Sequence, residues 1–321
     1  MNTIPRLHLG CFPTPIHDLP TLSHELGIEV KVKRDDLTGL GAGGNKIRKL
    51  EYLIADARKH GCTILITAGA LQSNHVLQTA AAGRRSGMRV LAVMDGAEPE
   101  TYSGNLLLNK ILGVELEFFE TKHFVEDVRD YMLQRQSQLA QAGEKSYIVP
   151  VGGSNALGSQ GYVNCAREMA EQYQAVGEAP PDYLVVAGGS GGTYAGLAVG
   201  CAHFWPHTKL IGIVITTNYF AQREYMAKLT IETADLAGID QIGLVDRLNL
   251  DYSYIGAGYG IPSPSGNAAV SEMASKEGIF LDPTYTGKVM SGLIGHVKKG
   301  LIPSGSRVLF VHTGGATALL A

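Results

Sequence analysis

The sequence predicts an α/β protein built on parallel sheets, and two observations carry that prediction. Short apolar, β-branched runs recur along the 321 residues, at 28–32, 64–66, 90–93, 147–149, 184–186, 210–215 and 308–311. Several are almost continuously hydrophobic, as strands covered on both faces must be. Longer stretches lie between them, and 48–59 and 124–142 repeat their apolar residues at helical spacing. Strand alternating with helix is the pattern of a parallel sheet with crossover helices.

The segment 51–158 contains its own strand–helix alternation and is expected to form a smaller α/β domain. Residues 1–50 and 159–321 would then combine into a larger one, with Lys46 near the junction. Clefts between domains are favoured ligand sites. No internal repeat, low-complexity tract or linker interrupts the chain.

Composition narrows the function. Hydrophobic residues make up 45% and charged residues 18%, which suits a globular chain with a sizeable core. The net charge of −3 and the lack of a basic block argue against nucleic acid as a partner. The four cysteines, Cys11, Cys62, Cys165 and Cys201, form no C-x-x-C pair and no zinc-ligand spacing, so no metal is expected. Scattered cysteines fit a reducing compartment. The N-terminal residues lack the apolar core of a signal peptide, and no apolar run reaches the ~20 residues of a membrane span. Cytoplasmic is the expected location. The 40 glycines sit in short clusters, as expected of tight loops beside a ligand.

The first cluster is Gly43-Gly44-Asn45-Lys46, followed by Ile47-Arg48-Lys49-Leu50-Glu51, which reads as a helix start. Such strings are commonly solvated helix starts, but a lysine behind glycines at a helix N-terminus can also serve as a nucleophilic amine. The second cluster, Gly188-Gly189-Ser190-Gly191-Gly192-Thr193, lies between a strand and an apolar run. Strand, glycine loop and helix suit a phosphate, with backbone N–H groups and the Ser190 and Thr193 hydroxyls as donors. An ordinary tight βα turn is the alternative. The loop spells neither G-x-G-x-x-G nor a Walker-type motif, which argues against nicotinamide dinucleotides and nucleoside triphosphates.

A third constellation, Gln72-Ser73-Asn74-His75, follows the run near 64–67. Polar residues there point into the crevice at the carboxyl end of a parallel sheet. Ser73 can be a nucleophile, a proton carrier or a helix cap, and capping is the commonest task of Ser at such a place. No G-x-S-x-G elbow surrounds it, so an ordinary serine hydrolase is not expected. The final third supplies Gly258-Tyr259-Gly260, Asp282-Pro283-Thr284-Tyr285-Thr286-Gly287-Lys288 and His312-Thr313-Gly314-Gly315, each turn-like and compatible with a polar pocket.

In their order and spacing, these strings, with Val151-Gly152-Gly153-Ser154 between them, resemble the D-cysteine desulfhydrase and 1-aminocyclopropane-1-carboxylate (ACC) deaminase family. The resemblance runs from about Pro5 to Leu319. It implies pyridoxal 5'-phosphate (PLP) as cofactor, and a fold of two open, twisted, mostly parallel sheets with flanking helices, the tryptophan synthase β-like fold type II. It also implies a homodimer acting on a small amino acid. Lys46 would anchor the cofactor covalently. Asn74 would bond its ring oxygen, and Ser190, Gly191, Gly192 and Thr193 would cradle its phosphate. Ser73, Asn74, His75, Tyr259 and Tyr285 would face the substrate, with Lys46, Ser73 and the two tyrosines as catalytic candidates.

Thr286 and Thr313 would lie at the cofactor. ACC deaminases carry Glu and Leu at these two places, so both threonines match the desulfhydrase side. A carboxylate at the pyridine nitrogen keeps the ring a strong electron sink, as cyclopropane opening requires. A hydroxyl leaves a weaker sink, sufficient to expel sulfide. The family resemblance therefore implies β-elimination from D-cysteine, giving pyruvate, hydrogen sulfide and ammonia. The alternatives are ACC deamination, amino-acid racemisation, and L-cysteate sulfo-lyase activity, of which Gly161-Tyr162-Val163-Asn164-Cys165-Ala166 is also reminiscent. A non-catalytic or dinucleotide-binding protein is the more distant alternative. Two departures stand out. Leu77 replaces a basic residue frequent in relatives, which bears on carboxylate or sulfonate recognition. Thr317 replaces a proline, and is expected to matter for the local turn.

Overall fold

The computed structural model describes residues 1–321 except Tyr219 and Ala221. Two sheets organise it. The larger has six strands in the order β1-β2-β10-β7-β8-β9: β1 (Ile16–Asp18), β2 (Glu29–Arg34), β10 (Arg307–His312), β7 (Tyr183–Gly188), β8 (Lys209–Val214) and β9 (Leu250–Asp251). The smaller has four in the order β5-β4-β3-β6: β5 (Glu115–Phe119), β4 (Arg89–Asp95), β3 (Ile64–Ala70) and β6 (Ser146–Ile148). All pairings are parallel except the edge strand β1 against β2.

The continuous hydrophobic runs have a direct cause. Val185 of β7 packs into one core with Val308 and Phe310 of β10, while Leu184, Val186, Leu309 and Val311 enter a second core on the opposite face. Helices cover both faces, so neither set of alternate residues can be polar. The small sheet repeats this arrangement. Leu65 of β3 packs beneath Ile47, Leu50 and Ile54 of helix α2 (Lys46–Lys59), and Ile66 and Ala68 face Val128 and Met132 of α5 (Phe124–Gln141).

All seven apolar runs lie on strands, and both helical stretches on helices. The three strands without such runs, β1, β5 and β9, are edge strands, and no residue of β5 is fully buried. Strands of the small sheet all fall between residues 64 and 148, whereas the large sheet draws on both ends of the chain. The stretch 161–166 lies inside the long helix α6 (Ala156–Ala175), where Gly161 packs against the Arg48 carbonyl. It is buried packing surface and says nothing about sulfonate chemistry. Among the described residues no helix is long and apolar enough to cross a membrane.

Candidate active site

One cavity collects side chains from both sheets at the carboxyl ends of β3, β4, β7 and β10. Lys46, Ser73, Asn74, His75, Ser190, Gly191, Thr193, Tyr259, Tyr285 and Thr313 all line it. Each comes from a turn that follows a strand or opens a helix, the place where a parallel sheet presents ligand groups.

Lys46 opens α2 from a tight turn. Gly43 has a φ of 77°, and a Cβ there would lie 1.9 Å from the Asp36 carbonyl oxygen, so only glycine fits. Thr38 Oγ1 accepts from the Gly44 N–H at 2.7 Å, and Gln78 Oε1 accepts from the Lys46 N–H at 3.0 Å. The amine donates to Asn45 Oδ1 at 2.8 Å, and Asn45 Nδ2 donates to Thr193 Oγ1 at 2.9 Å. Asn45 thus ties the amine to the glycine loop. Burial pulls the Lys46 amine down to about 8, and the Asp282 carboxylate opposes that fall.

The glycine loop joins β7 to α7 (Gly192–Phe204). Ser154 Oγ sits against it, 2.8 Å from Ser190 Oγ and 3.1 Å from the Gly192 nitrogen, which donates to it. Lys49 Nζ donates to Ser154 Oγ at 3.2 Å and to the Gly152 carbonyl at 3.0 Å. Burial, and then the neighbouring Lys46 charge, pull the Lys49 amine well below its ordinary value. A dianion at the loop would relieve both penalties. Residue type alone gives Lys49 and Ser154 no evident role, although Lys49 follows Lys46 by three residues and so shares its helical face. Gly192 does not itself line the cavity. A Cβ there would meet Ser154 Oγ at 2.8 Å and Lys49 Nζ at 2.9 Å. Gly192→Ala should therefore loosen PLP binding by about tenfold or more. Fluorescence titration of the apo-protein with PLP checks this, and an unchanged Kd would remove Lys49 and Ser154 from the loop's function.

Ser73 caps α3 (Asn74–Arg85), its Oγ accepting from the Val76 N–H at 3.3 Å, and it also lines the cavity. The buried Thr67 hydroxyl donates to the Val149 carbonyl at 3.1 Å and therefore accepts from His75 Nε2 at 2.7 Å. That fixes the His75 tautomer and leaves Nδ1 as a buried acceptor with no partner among the described residues. Burial and the nearby Lys46 and Lys49 charges hold His75 far below the usual imidazole range, so it stays neutral. His75 thus presents a neutral imidazole to the cavity wall.

Asp282 organises the opposite wall. Its Oδ2 accepts from the Thr284 and Tyr285 N–H groups at 2.9 and 2.7 Å, and its Oδ1 from the Thr286 N–H at 2.8 Å. Lys288 Nζ holds the Ile255 and Gly258 carbonyls at 2.7 and 2.9 Å, which fixes the loop before Tyr259. The Tyr259 and Tyr285 hydroxyls meet at 2.5 Å. Burial raises the Tyr285 phenol far above its ordinary value, and Tyr259, although 43% exposed, has its hydroxyl turned inward onto Tyr285 and is also raised, so both carry their protons at neutral pH.

Two expectations change here. Thr286 does not line the cavity. Its hydroxyl donates to Asp282 Oδ1 at 2.7 Å and accepts from the Asp282 N–H at 2.8 Å, so its one proton is taken up by the helix cap. Thr313 does line the cavity. Leu77 is buried away from the cavity and bears on no anion there. Asp95, at the end of β4, was not singled out from sequence. It lines the cavity with a carboxylate that makes no hydrogen bond or ion pair among the described residues, and burial raises that carboxyl.

A primary amine, a helix N-terminus behind glycines with a buried lysine beside it, and amide and hydroxyl donors between them form one donor set. An aldehyde that also carries a phosphate and a phenolic oxygen fits it. The chain belongs to the family of pyridoxal-phosphate dependent enzymes, whose family model matches residues 7–314. Within it, the chain stands among proteins named for D-cysteine and ACC chemistry. It is 41% identical to a D-cysteine desulfhydrase of Serratia proteamaculans over 322 residues, covering 99% of this chain and 96% of that one. A D-cysteine desulfhydrase of Salmonella newport is 40% identical over 326 residues, covering 100% and 97%. The solved structure of an ACC deaminase homologue superposes with a TM-score of 0.90 at 38% identity, covering 99% of this chain and 94% of that chain. The fold is thus that of the fold-type II PLP enzymes, and the chain is a PLP-dependent lyase.

Proposed function

We propose that this lyase is a D-cysteine desulfhydrase, eliminating sulfide from D-cysteine and releasing an enamine that hydrolyses to pyruvate and ammonia. Near-complete alignment at about 40% identity with proteins of that name supports it. The observation that carries it is the juxtaposition, in one cavity, of the Lys46 amine with the protonated Tyr259–Tyr285 pair.

When bound, PLP would supply the electron sink for charge left at Cα, with Lys46 as its anchor, Ser190, Gly191 and Thr193 facing its phosphate, and Gly192 and Lys49 backing that loop through Ser154. Asn74 would be the donor for its ring oxygen, and Thr313 would offer a hydroxyl to its ring. Thr286 acts at one remove, through the cap that places Tyr285. Lys46 Nζ is suited to take the Cα proton, because its affinity for a proton lies near neutral pH. Ser73 Oγ is the other proton carrier within the same wall. Tyr259 and Tyr285 share a hydrogen bond, so one phenol can donate toward the departing sulfur while the other stabilises the oxygen left behind. Asp95 bears on the leaving group. Its unpaired carboxylate repels a second anion on the substrate, which favours a thiol side chain over a sulfonate.

We assign residues 1–50 and 159–321 to a larger unit and 51–158 to a smaller one, with the cavity between them. The working assembly is taken to be a homodimer in the cytoplasm.

A substrate panel tests the reading. On PLP-loaded enzyme, D-cysteine should give pyruvate and sulfide with kcat/KM at least about a hundredfold above that for L-cysteate or ACC. Sulfite from L-cysteate at a comparable rate would overturn the role given to Asp95. Comparable 2-oxobutanoate from ACC would overturn the desulfhydrase reading itself.

A further inference from the structure

We infer that Thr317 is a positioning residue for Asn74, acting through Asn105, so that the C-terminal turn sets the hydrogen-bond donor offered to the cofactor ring. The inference rests on the reading of Asn74 as the ring-oxygen donor.

The geometry leaves little freedom. Asn105, fully buried on the helix Gly104–Ile111, donates from Nδ2 to the Gln72 backbone carbonyl at 2.9 Å. A carbonyl only accepts, so this bond fixes which end of the Asn105 amide is nitrogen. The same nitrogen donates to Asn74 at 2.8 Å, so the Asn74 atom facing it is Oδ1. Asn74 Nδ2 is thereby directed to the other side and has no protein partner among the described residues, while Asn74 lines the cavity. Asn105 Oδ1 then needs a donor, and Thr317 Oγ1 supplies it at 2.6 Å.

The strap that carries Thr317 also passes the far side of Asn74. It leaves β10 at His312, lines the cavity at Thr313 and Gly314, and runs past Asn74 at Gly315. A Cβ at Gly315 would lie 2.8 Å from Asn74 Nδ2 and 2.9 Å from the Asp282 carboxyl carbon. The Asn74 amide is therefore gripped from both sides. Asn105 holds its oxygen, and the glycine strap bounds its nitrogen. Asn105 belongs to the segment of the small sheet and the strap to that of the large one, so the grip joins the two.

Removing the Thr317 hydroxyl leaves Asn105 Oδ1 without its donor. The Asn105 amide keeps its bond to the Gln72 carbonyl but is no longer held at its oxygen end, so its bond to Asn74 loosens and Asn74 is less firmly oriented. The probe is PLP itself. Full-length Thr317→Val, Thr317→Ser and Asn74→Ala proteins are compared with the parent for PLP dissociation constant and for the pH midpoint of the visible absorbance of the bound cofactor. A donor to the ring oxygen favours the more anionic, deprotonated form, so its loss moves that midpoint up. Thr317→Val should weaken PLP binding about three- to tenfold and move the midpoint upward, in the same direction as Asn74→Ala. Thr317→Ser should keep parental values of both. Should Thr317→Val not fold, Thr317→Ala reads the same loss. A shifted Asn74→Ala beside an unshifted Thr317→Val overturns the relay. Equal impairment of Thr317→Val and Thr317→Ser marks Thr317 as packing and also overturns it. An unshifted Asn74→Ala sinks the Asn74 reading itself, and the relay with it.

Discussion

Lys46→Ala is expected to abolish the visible absorbance of the PLP-loaded protein and to lower turnover of D-cysteine by at least about a thousandfold. Two roles are lost together, since the amine is both the covalent anchor and the leading candidate to carry the Cα proton. No neighbour can replace it. Lys49, three residues on, is held at the loop by Ser154 and the Gly152 carbonyl, and Lys288 is held by two backbone carbonyls. The pH dependence of anchoring has a definite sign. Only the neutral amine attacks an aldehyde, and burial brings the Lys46 amine to about 8. Capture of PLP by the apo-protein should therefore quicken as pH rises toward 8 and level off above it. Stopped-flow absorbance on the parent and the variant reads both effects. A Lys46→Ala protein that turns over D-cysteine normally would remove this lysine from the chemistry.

Much of this site could be read from the chain, and the reason lies in backbone conformation. The Lys46 turn, the loop at 188–193 and the strap at 313–315 all need glycine to bring backbone close to a ligand or a neighbour, so they leave a mark in the sequence. The buried central strands likewise announce themselves through continuous apolar runs. Residues that act through side-chain contacts across the fold leave no such mark. Ser154 lies 36 residues from Ser190 and 105 from Lys49, and only the closed fold brings them together. Asn105 and Thr317 are 212 residues apart. Thr286 shows the converse case. Its place in the motif was clear, but its hydroxyl was claimed by Asp282 four residues earlier, a competition between local capping and ligand contact that residue type alone does not decide. Three of the four edge strands, β1, β5 and β9, carry no continuous apolar run because half-exposed strands need none.

The other face of α2 carries the largest expected effect on stability. While Lys46 and Lys49 turn toward the cavity, Arg48 enters a buried cluster on the far side. Its Nε and Nη2 donate to the two oxygens of Asp35, each at 2.8 Å, and its Nη1 and Nη2 reach Glu168 at 2.9 Å. Lys33 Nζ completes the ring with Glu168 at 2.6 Å. Asp35 also accepts from Tyr162 Oη at 2.5 Å and Thr14 Oγ1 at 2.8 Å. Two cations face two carboxylates, and every lone pair of Asp35 has a donor. Such a cluster adds little when intact, but removing one member strands its partner's charge in a dry interior. Asp35→Ala should therefore cost about 3–5 kcal/mol, seen as a lower denaturant midpoint. It should also impair PLP binding, because α2 loses the anchor that presents Lys46. The acid response follows from the same contacts. Burial alone would raise the Asp35 carboxyl, but the Arg48 charge and hydrogen bonds, with Lys33, outweigh it and bring it from 3.8 to about 2. A depressed carboxylate stabilises the fold fully above its unfolded value and loses that contribution as pH falls toward its folded one. The parent should thus lose about 2 kcal/mol from this group between pH 4 and 2. Asp35→Asn, already unable to ionise, should show a correspondingly shallower decline over the same interval. Parallel acid-denaturation curves for the two proteins would show that the cluster does not hold α2 in place.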